Sequence, residues 1–212
     1  MADGRNTRAR RRRAQTEGAL LDAARTLFRH HGYHATTVED IVQRAQVARG
    51  TFYLYFRNKE AVLGALVGAF VEDIRGAVRR IETGPCAAPP AEQIRENLRR
   101  ICHVVERHED VAALVFLGPA GFDDTSRGIL DRFWERTEAM VRDALAVGQG
   151  LGVVRSCDRA LAATMALGAV RAALSRRLAA PPDGPPDGGE RFGEAFIDEI
   201  VAFPLRGLLA LP

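Results

Sequence analysis

Apolar residues recur every three to four positions along most of the chain, and this spacing predicts helices rather than strands. The first helix is predicted to begin near Arg13 and to end at Gly32, which can adopt the left-handed conformation that terminates helices. A capping box of Thr36 and Glu39 is predicted to open a second short helix, and a third follows over Arg49–Tyr55. Longer helices with the same periodicity fill the rest of the chain. We therefore expect an all-α fold of about nine helices.

The three short helices and the tight turn at residues 46–48 are typical of a helix-turn-helix motif. Because the recognition helix of such a motif enters the major groove by its N-terminal end, Arg49, Gly50 and Thr51 are expected to face base edges. Gly50 would allow a close approach to DNA. Arg49 is the one long forked donor in this region, and it could read a guanine through two hydrogen bonds.

Two tyrosines and a lysine next to this motif are candidates for phosphate contacts. Tyr53 and Tyr55 are two residues apart on a helix, so they cannot both enter one core, and at least one phenol should point outward. Lys59 begins the fourth helix, where free backbone amides also suit a phosphate. A merely solvated surface is the alternative interpretation of all these residues.

The formal net charge of +3 is distributed unevenly along the chain. Residues 1–57 carry 11 Arg and 5 acidic residues, whereas the remainder has a net charge of −3. This asymmetry predicts a polyanionic partner for the N-terminal part. Residues 1–12, with Arg8 and the start of the run Arg10–Arg13, lack apolar periodicity and are predicted to form a flexible basic arm. The arm could follow DNA beside the binding site or serve only as a solubilising tail.

Composition excludes several classes of protein. A chain of 212 residues with 47% hydrophobic and 27% charged residues is globular, which excludes disordered and collagenous chains. The three cysteines lie far apart, so we expect no disulfide framework or zinc site. No apolar stretch is long enough to cross a membrane and no signal peptide is evident, so a cytoplasmic location is expected. The chain also lacks the GxSxG, P-loop and HExxH motifs, and we expect neither catalysis nor a cofactor.

Residues from about Thr16 to Leu63 resemble the DNA-binding domain of the TetR family of bacterial regulators, and the stretch TFYLYFRNKEAVL, Thr51 to Leu63, carries the most specific part of this resemblance. The resemblance implies contacts with double-stranded DNA through the following residues: Thr37, Arg49, Gly50, Thr51, Tyr53, Tyr55 and Lys59. Two positions depart from the family pattern. Gln46 stands where the family usually has Gly, which predicts left-handed strain in the turn, and Ala48 replaces the usual Ser, which removes the side-chain N-cap of the third helix.

For the rest of the chain the resemblance implies a small-molecule effector site among the middle helices and a dimer interface. The small-residue helix at 158–179 and the Phe-rich helix at 190–209 are the candidate interface, although the former could equally be central to its own subunit. Candidate effector-binding residues, each of which could instead be ordinary core, are Leu98, Cys102, Val105, Phe116, Phe133, Trp134, Thr137, Met140 and Met165.

The sequence thus predicts a basic arm at 1–12, a DNA-binding domain at 13–58, and a ligand-binding and dimerisation domain at 59–212. The expected function is that of a homodimeric regulator, a repressor of a palindromic operator, that a small and mostly apolar ligand releases from DNA. The alternative is an architectural or protein-controlled DNA-binding dimer without a small-molecule effector.

Overall fold

The computed structural model describes residues 3–82, 84–118, 124–180 and 192–208, and this part of the chain contains nine helices and no strand. The expected all-α fold is therefore confirmed. The helices are α1 (Asp3–His31), α2 (Val38–Arg44), α3 (Arg49–Tyr53), α4 (Lys59–Ala77), α5 (Pro90–Arg107), α6 (Glu109–Leu117), α7 (Asp124–Gly150), α8 (Arg159–Leu178) and α9 (Glu194–Leu208). The doubled PPDG tract at 181–188, predicted to be a loop, lies outside the described residues. Among the described helices, none combines the length and the apolar character that a bilayer-spanning segment needs.

The start of α1 corrects one prediction. The helix begins at Asp3 instead of Arg13, so Arg8 and Arg10–Arg13 lie on a helix rather than on an irregular arm. Periodicity was a poor guide here because Ala and Arg favour helix even where no face is buried. The predicted end of α1 is confirmed, since Gly32 has φ 82° and its N–H donates to the Phe28 carbonyl oxygen.

The capping box of α2 is shifted by one residue from the prediction. Thr37 is the N-cap, and its hydroxyl accepts from the Asp40 N–H at 3.2 Å while the Asp40 carboxylate accepts from the Thr37 N–H at 2.8 Å. The hydrogen bonds that the Thr37 hydroxyl and the Thr37 N–H donate to its carboxylate lower the pKa of Asp40. Thr36 is instead buried and donates to the Gly32 carbonyl oxygen. Both threonines have an acidic residue three positions later, so only burial decides which of them caps the helix.

The described residues group into two compact units, of which the first comprises Met1–Ala69 and Gly118–Ile129 and the second Phe70–Leu117 and Leu130–Pro212. The core of the first unit contains fully buried side chains from α1, α2, α3 and α4, including Leu20, Ile41, Phe52 and Leu63. The predicted boundary after residue 58 stays a prediction.

In the second unit, α5 lies against α9 and α6 against α8. Val105, Val111 and Leu174 are among its fully buried side chains. The apolar spacing of the sequence predicts a helix from Lys59 to about Thr83, but α4 ends at Ala77. The reason lies in α5, where the Asn97 side chain exchanges two hydrogen bonds of 2.8 Å with the backbone of Arg79 and so replaces the helical bonds.

Candidate DNA-binding interface and effector site

The turn between α2 and α3 is closed by a Schellman motif centred on Gln46. The Val47 N–H donates to the Val42 carbonyl oxygen at 3.1 Å, and the Gln46 N–H donates to that of Gln43 at 3.2 Å. This motif requires a left-handed residue after the helix, and Gln46 has φ 54°. The predicted strain is confirmed, and Gln46 is the single non-glycine residue of the described chain with positive φ.

The N-terminal end of α3 lacks a side-chain cap, as the sequence predicted. Ala48 is the N-cap and supplies no side-chain hydrogen bond, while Phe52 is fully buried and anchors the helix in the core. Arg49 and Gly50 are exposed. No protein atom lies within 4 Å of a Cβ built at Gly50, so packing within the chain does not demand a glycine there.

The Arg49 guanidinium is oriented by two neighbours. Its Nη1 donates to Glu39 Oε2 at 3.0 Å, and both side chains are largely exposed. A hydrogen bond with Tyr53 and the nearby charges of Tyr53 and Glu39 raise the pKa of Arg49. Tyr53 itself is 49% exposed, which confirms that at least one phenol points outward. Arg49 and Tyr53 are four residues apart and both exposed, so they lie on the same outer face of α3.

The other predicted DNA contacts are already engaged within the unit. Tyr55 is half-buried, with the Arg13 guanidinium 5.7 Å from its ring centroid. Thr51 is also half-buried. The hydroxyl of the exposed Thr37 donates to Asp40 Oδ2 at 2.7 Å as part of the capping box.

Lys59 is the one lysine of the chain, and the structure gives it a role that the sequence did not predict. Its Nζ donates to the carbonyl oxygens of Tyr33 at 2.7 Å, Thr36 at 2.8 Å and His34 at 3.4 Å. It also lies 4.3 Å from the centroid of the Tyr33 ring. An ammonium group has three protons, so these carbonyl groups use its full donor capacity. A phosphate contact would have to replace one of these bonds.

Ser126 was missed by the sequence reasoning. It lies in the first turn of α7, is fully buried, and donates to the Tyr33 hydroxyl oxygen at 2.8 Å. The Tyr33 hydroxyl in turn lies 3.4 Å from Glu60 Oε1. Lys59, Ser126 and Glu60 thus hold the loop at residues 32–36 immediately before α2. A lone serine at a helix start carries no sequence signal for such a long-range contact.

The predicted effector residues differ widely in exposure. Five of them are buried, namely Leu98, Cys102, Val105, Phe116 and Phe133. Trp134 and Thr137 are half-buried, whereas Met140 is 46% and Met165 63% exposed. The exposure of these two methionines therefore gives no support for an apolar cavity that includes them. Burial raises the pKa of the Cys102 thiol to about 12, which leaves it protonated and unreactive at neutral pH.

An aromatic cluster brings three of the predicted residues together in the second unit. The Trp134 ring centroid lies 4.7 Å from that of Phe133 and 5.4 Å from that of Phe116, both in edge-on arrangements. The Arg171 guanidinium lies over the Trp134 ring at 4.3 Å from its centroid. Two clefts of about 520 Å³ and 280 Å³ open elsewhere in this unit, and neither is lined by a predicted effector residue.

Comparison with known proteins agrees with the geometry of the first unit. The family model described as "Bacterial regulatory proteins, tetR family" matches residues 20–66. The transcriptional regulator AcuR of Cereibacter sphaeroides is 28% identical over 190 residues, with 84% of each chain covered. The repressor KstR2 of Rhodococcus jostii is 40% identical over 62 residues, which cover 29% of this chain and 30% of KstR2. For several relatives the match spans only about a third to a half of the relative's own length.

A solved structure supports the fold over nearly the whole chain. The regulator FadR of Bacillus subtilis, in complex with stearoyl-CoA, has a TM-score of 0.69 and 21% identity, with 89% of this chain and 97% of FadR covered. At this level of identity the likeness establishes the shared architecture, an N-terminal helix-turn-helix followed by a helical C-terminal region.

Proposed function

Because the chain belongs to the TetR family of bacterial regulatory proteins, we propose that it is a homodimeric repressor that binds a palindromic operator and that a small, mostly apolar ligand releases from DNA. The observation that carries the proposal is the set of polar side chains exposed on the outer face of α3. Arg49 and Tyr53 are exposed there one helical turn apart, and Arg49 lies at the N-terminal end of the helix, which would enter the major groove.

In this proposal Arg49 reads a base and the neighbouring groups position the helix. On binding DNA, the Arg49 guanidinium would release the Glu39 carboxylate and donate to the O6 and N7 atoms of a guanine. Gly50 admits the DNA backbone or a base edge, since its surroundings in the protein are open. The hydroxyl of Thr51 and the phenol of Tyr53 would contact phosphates, with Thr37, Tyr55 and Lys59 in supporting positions. The domain boundaries expected from the sequence are part of the same proposal.

Dimerisation is supported by an exposed stripe on α8. Leu161, Met165, Gly168 and Ala172 are all exposed and follow a spacing of four, three and four residues, which places them on one face of the helix. Leu161 is 58% and Met165 63% exposed, an unfavourable arrangement for a monomer in water. We assign this face to the partner subunit. Two reading heads related by a two-fold axis would then contact half-sites about 34–36 Å apart.

Release by a ligand requires a ligand that binds the DNA-free arrangement more tightly than the DNA-bound one. Residues 59–69 of α4 belong to the first unit and residues 70–77 to the second, so this helix is the proposed lever. The stearoyl-CoA bound to FadR shows that this fold can hold a ligand with a long apolar chain. For the present chain we place the ligand beside the cluster of Phe116, Phe133 and Trp134.

The test is selection of bound sequences from a random duplex library at near-physiological salt. We expect a palindrome with half-sites about one helical turn apart. Arg49→Ala should abolish enrichment of one base position in each half-site while leaving salt-sensitive binding to any duplex intact. Arg142→Ala, which removes an exposed arginine of α7 outside the head, is the charge-matched control and should leave the motif unchanged. An identical motif with Arg49→Ala would refute the base-reading assignment.

One observation favours the alternative of a DNA-binding dimer without an effector, because neither cleft of the second unit is lined by the predicted effector residues. Thermal unfolding in the presence of a library of apolar compounds separates the two functions. A ligand at 100 times its dissociation constant adds about 2.7 kcal/mol to stability. If bound compounds leave operator affinity unchanged, the alternative is correct.

A further inference from the structure

Trp134 carries a buried hydrogen-bond donor without an acceptor. Its Nε1 is inaccessible to solvent and has no hydrogen-bond partner. Two other buried side-chain nitrogens in the described residues also lack a hydrogen bond of acceptable geometry, but each of them lies beside a carboxylate oxygen. Arg95 Nε lies 2.6 Å from Asp198 Oδ1, and His108 Nε2 lies 2.8 Å from Asp73 Oδ2. Trp134 Nε1 is therefore the one nitrogen of this group that lacks a carboxylate partner.

The surroundings of the indole supply no acceptor oxygen from their side chains. Phe116 and Phe133 present ring edges, and Arg171 presents a guanidinium, which is a donor only. The hydroxyl of Thr137, one turn further along α7, donates to the Phe133 carbonyl oxygen at 2.8 Å. The group thus combines apolar surface with donors that lack an oxygen to bind.

Proteins pair the great majority of their buried donors, because an unpaired one forfeits the hydrogen bond it makes to water when exposed. We infer that Trp134 Nε1 is the polar anchor of the effector site, and that the effector is an apolar molecule with a carbonyl or carboxylate oxygen that accepts from this N–H. Phe116 and Phe133 contact its apolar body. Arg171 is exposed and has no ion pair within the described residues, so it is the side chain that moves to admit the ligand. This inference rests on the proposed ligand-controlled function and names the ligand chemistry.

The test uses matched probes that differ in one oxygen. Acetophenone and ethylbenzene have nearly the same shape, as do 2-acetylnaphthalene and 2-ethylnaphthalene, and only the first of each pair has an acceptor. The chain contains one tryptophan, so a ¹⁵N-labelled sample gives a single indole N–H signal that reports on this atom alone. We expect the ketone of at least one pair to bind about tenfold more tightly than its hydrocarbon, which corresponds to one hydrogen bond. We also expect it to shift the indole signal downfield.

Trp134→Phe is the decisive variant, because it keeps an aromatic ring between Phe116 and Phe133 but removes the N–H. The smaller ring weakens the binding of both probes alike, so the two affinities should become equal and the tenfold preference for the ketone should disappear. In the unsubstituted protein, equal affinities within both pairs, absence of binding by all four probes, or an indole proton that exchanges rapidly with water in the absence of ligand would each overturn the inference. Failure of operator selection would instead refute the proposed DNA-binding function, so the two failures are distinguishable.

Discussion

Replacement of Gln46 by glycine should stabilise the first unit. Gln46 has φ 54°, a left-handed conformation that costs an L-residue about 1–2 kcal/mol, and Gln46→Gly removes this cost. Glycine loses more backbone entropy on folding, which offsets about 0.5–1 kcal/mol of the gain. The exposed Gln46 side chain forms no hydrogen bond in the described structure, so nothing else is lost. The expected net gain in the free energy of unfolding is about 0.5–1 kcal/mol.

Urea unfolding followed by far-UV circular dichroism measures this gain. The matched control is Gln43→Gly, since Gln43 is the same residue type, is exposed and lies three positions earlier on α2. At position 43, which is helical, glycine brings only its entropic cost, so the free energy of unfolding should fall by about 0.5–1 kcal/mol. The opposite signs of two chemically identical substitutions isolate the backbone angle as the cause. A loss at Gln46 equal to the loss at Gln43 would refute the assignment of strain.

Three further predictions concern other residues. Ala48→Ser should raise the free energy of unfolding by about 1 kcal/mol, measured by urea unfolding, because its hydroxyl would accept from a free N–H at the start of α3; an unchanged midpoint would contradict this. Lys59→Arg should lower the melting temperature although the charge is kept, because the three carbonyl oxygens surround one nitrogen atom, whereas the donors of a guanidinium are spread over three nitrogens in a plane. Full retention of the melting temperature would exclude the role given to Lys59. Burial raises the pKa of the Cys102 thiol to about 12, so iodoacetamide at pH 8 should alkylate the exposed Cys86 and spare Cys102 until the protein unfolds. The same shift means that the unfolded chain loses the Cys102 proton first, and stability should fall as the pH rises from about 9 towards 12.

Local backbone features were predictable from the sequence because they depend on a few neighbouring residues. The strain at Gln46, the missing cap at Ala48 and the helix end at Gly32 each follow from one residue type at one position of a short motif. The choice between Thr36 and Thr37 as the cap of α2 could not be predicted. Both have the required spacing, and only the burial of Thr36 against the loop separates them.

Contacts between distant parts of the chain were not predictable. Lys59 begins a helix next to a DNA-binding motif, and the same position suits a phosphate or a set of carbonyl groups. The carbonyl oxygens of Tyr33 and Thr36, which accept from Lys59 in the structure, lie 26 and 23 residues earlier in the chain. Met140 and Met165 were expected either at the effector site or in the core, yet both are exposed, because an apolar residue on an outward helix face has the same spacing as one that faces inward.

The loop at residues 32–36 is held in place by contacts from two helices. It precedes the N-cap of α2, so its position fixes where the helix-turn-helix begins. Lys59 holds it from the first residue of α4, and Ser126 holds it through Tyr33 from the first turn of α7. Each of these two helices contributes residues to both units. The start of the helix-turn-helix is therefore positioned from two helices, through the half-buried Lys59 and the buried Ser126 and Tyr33.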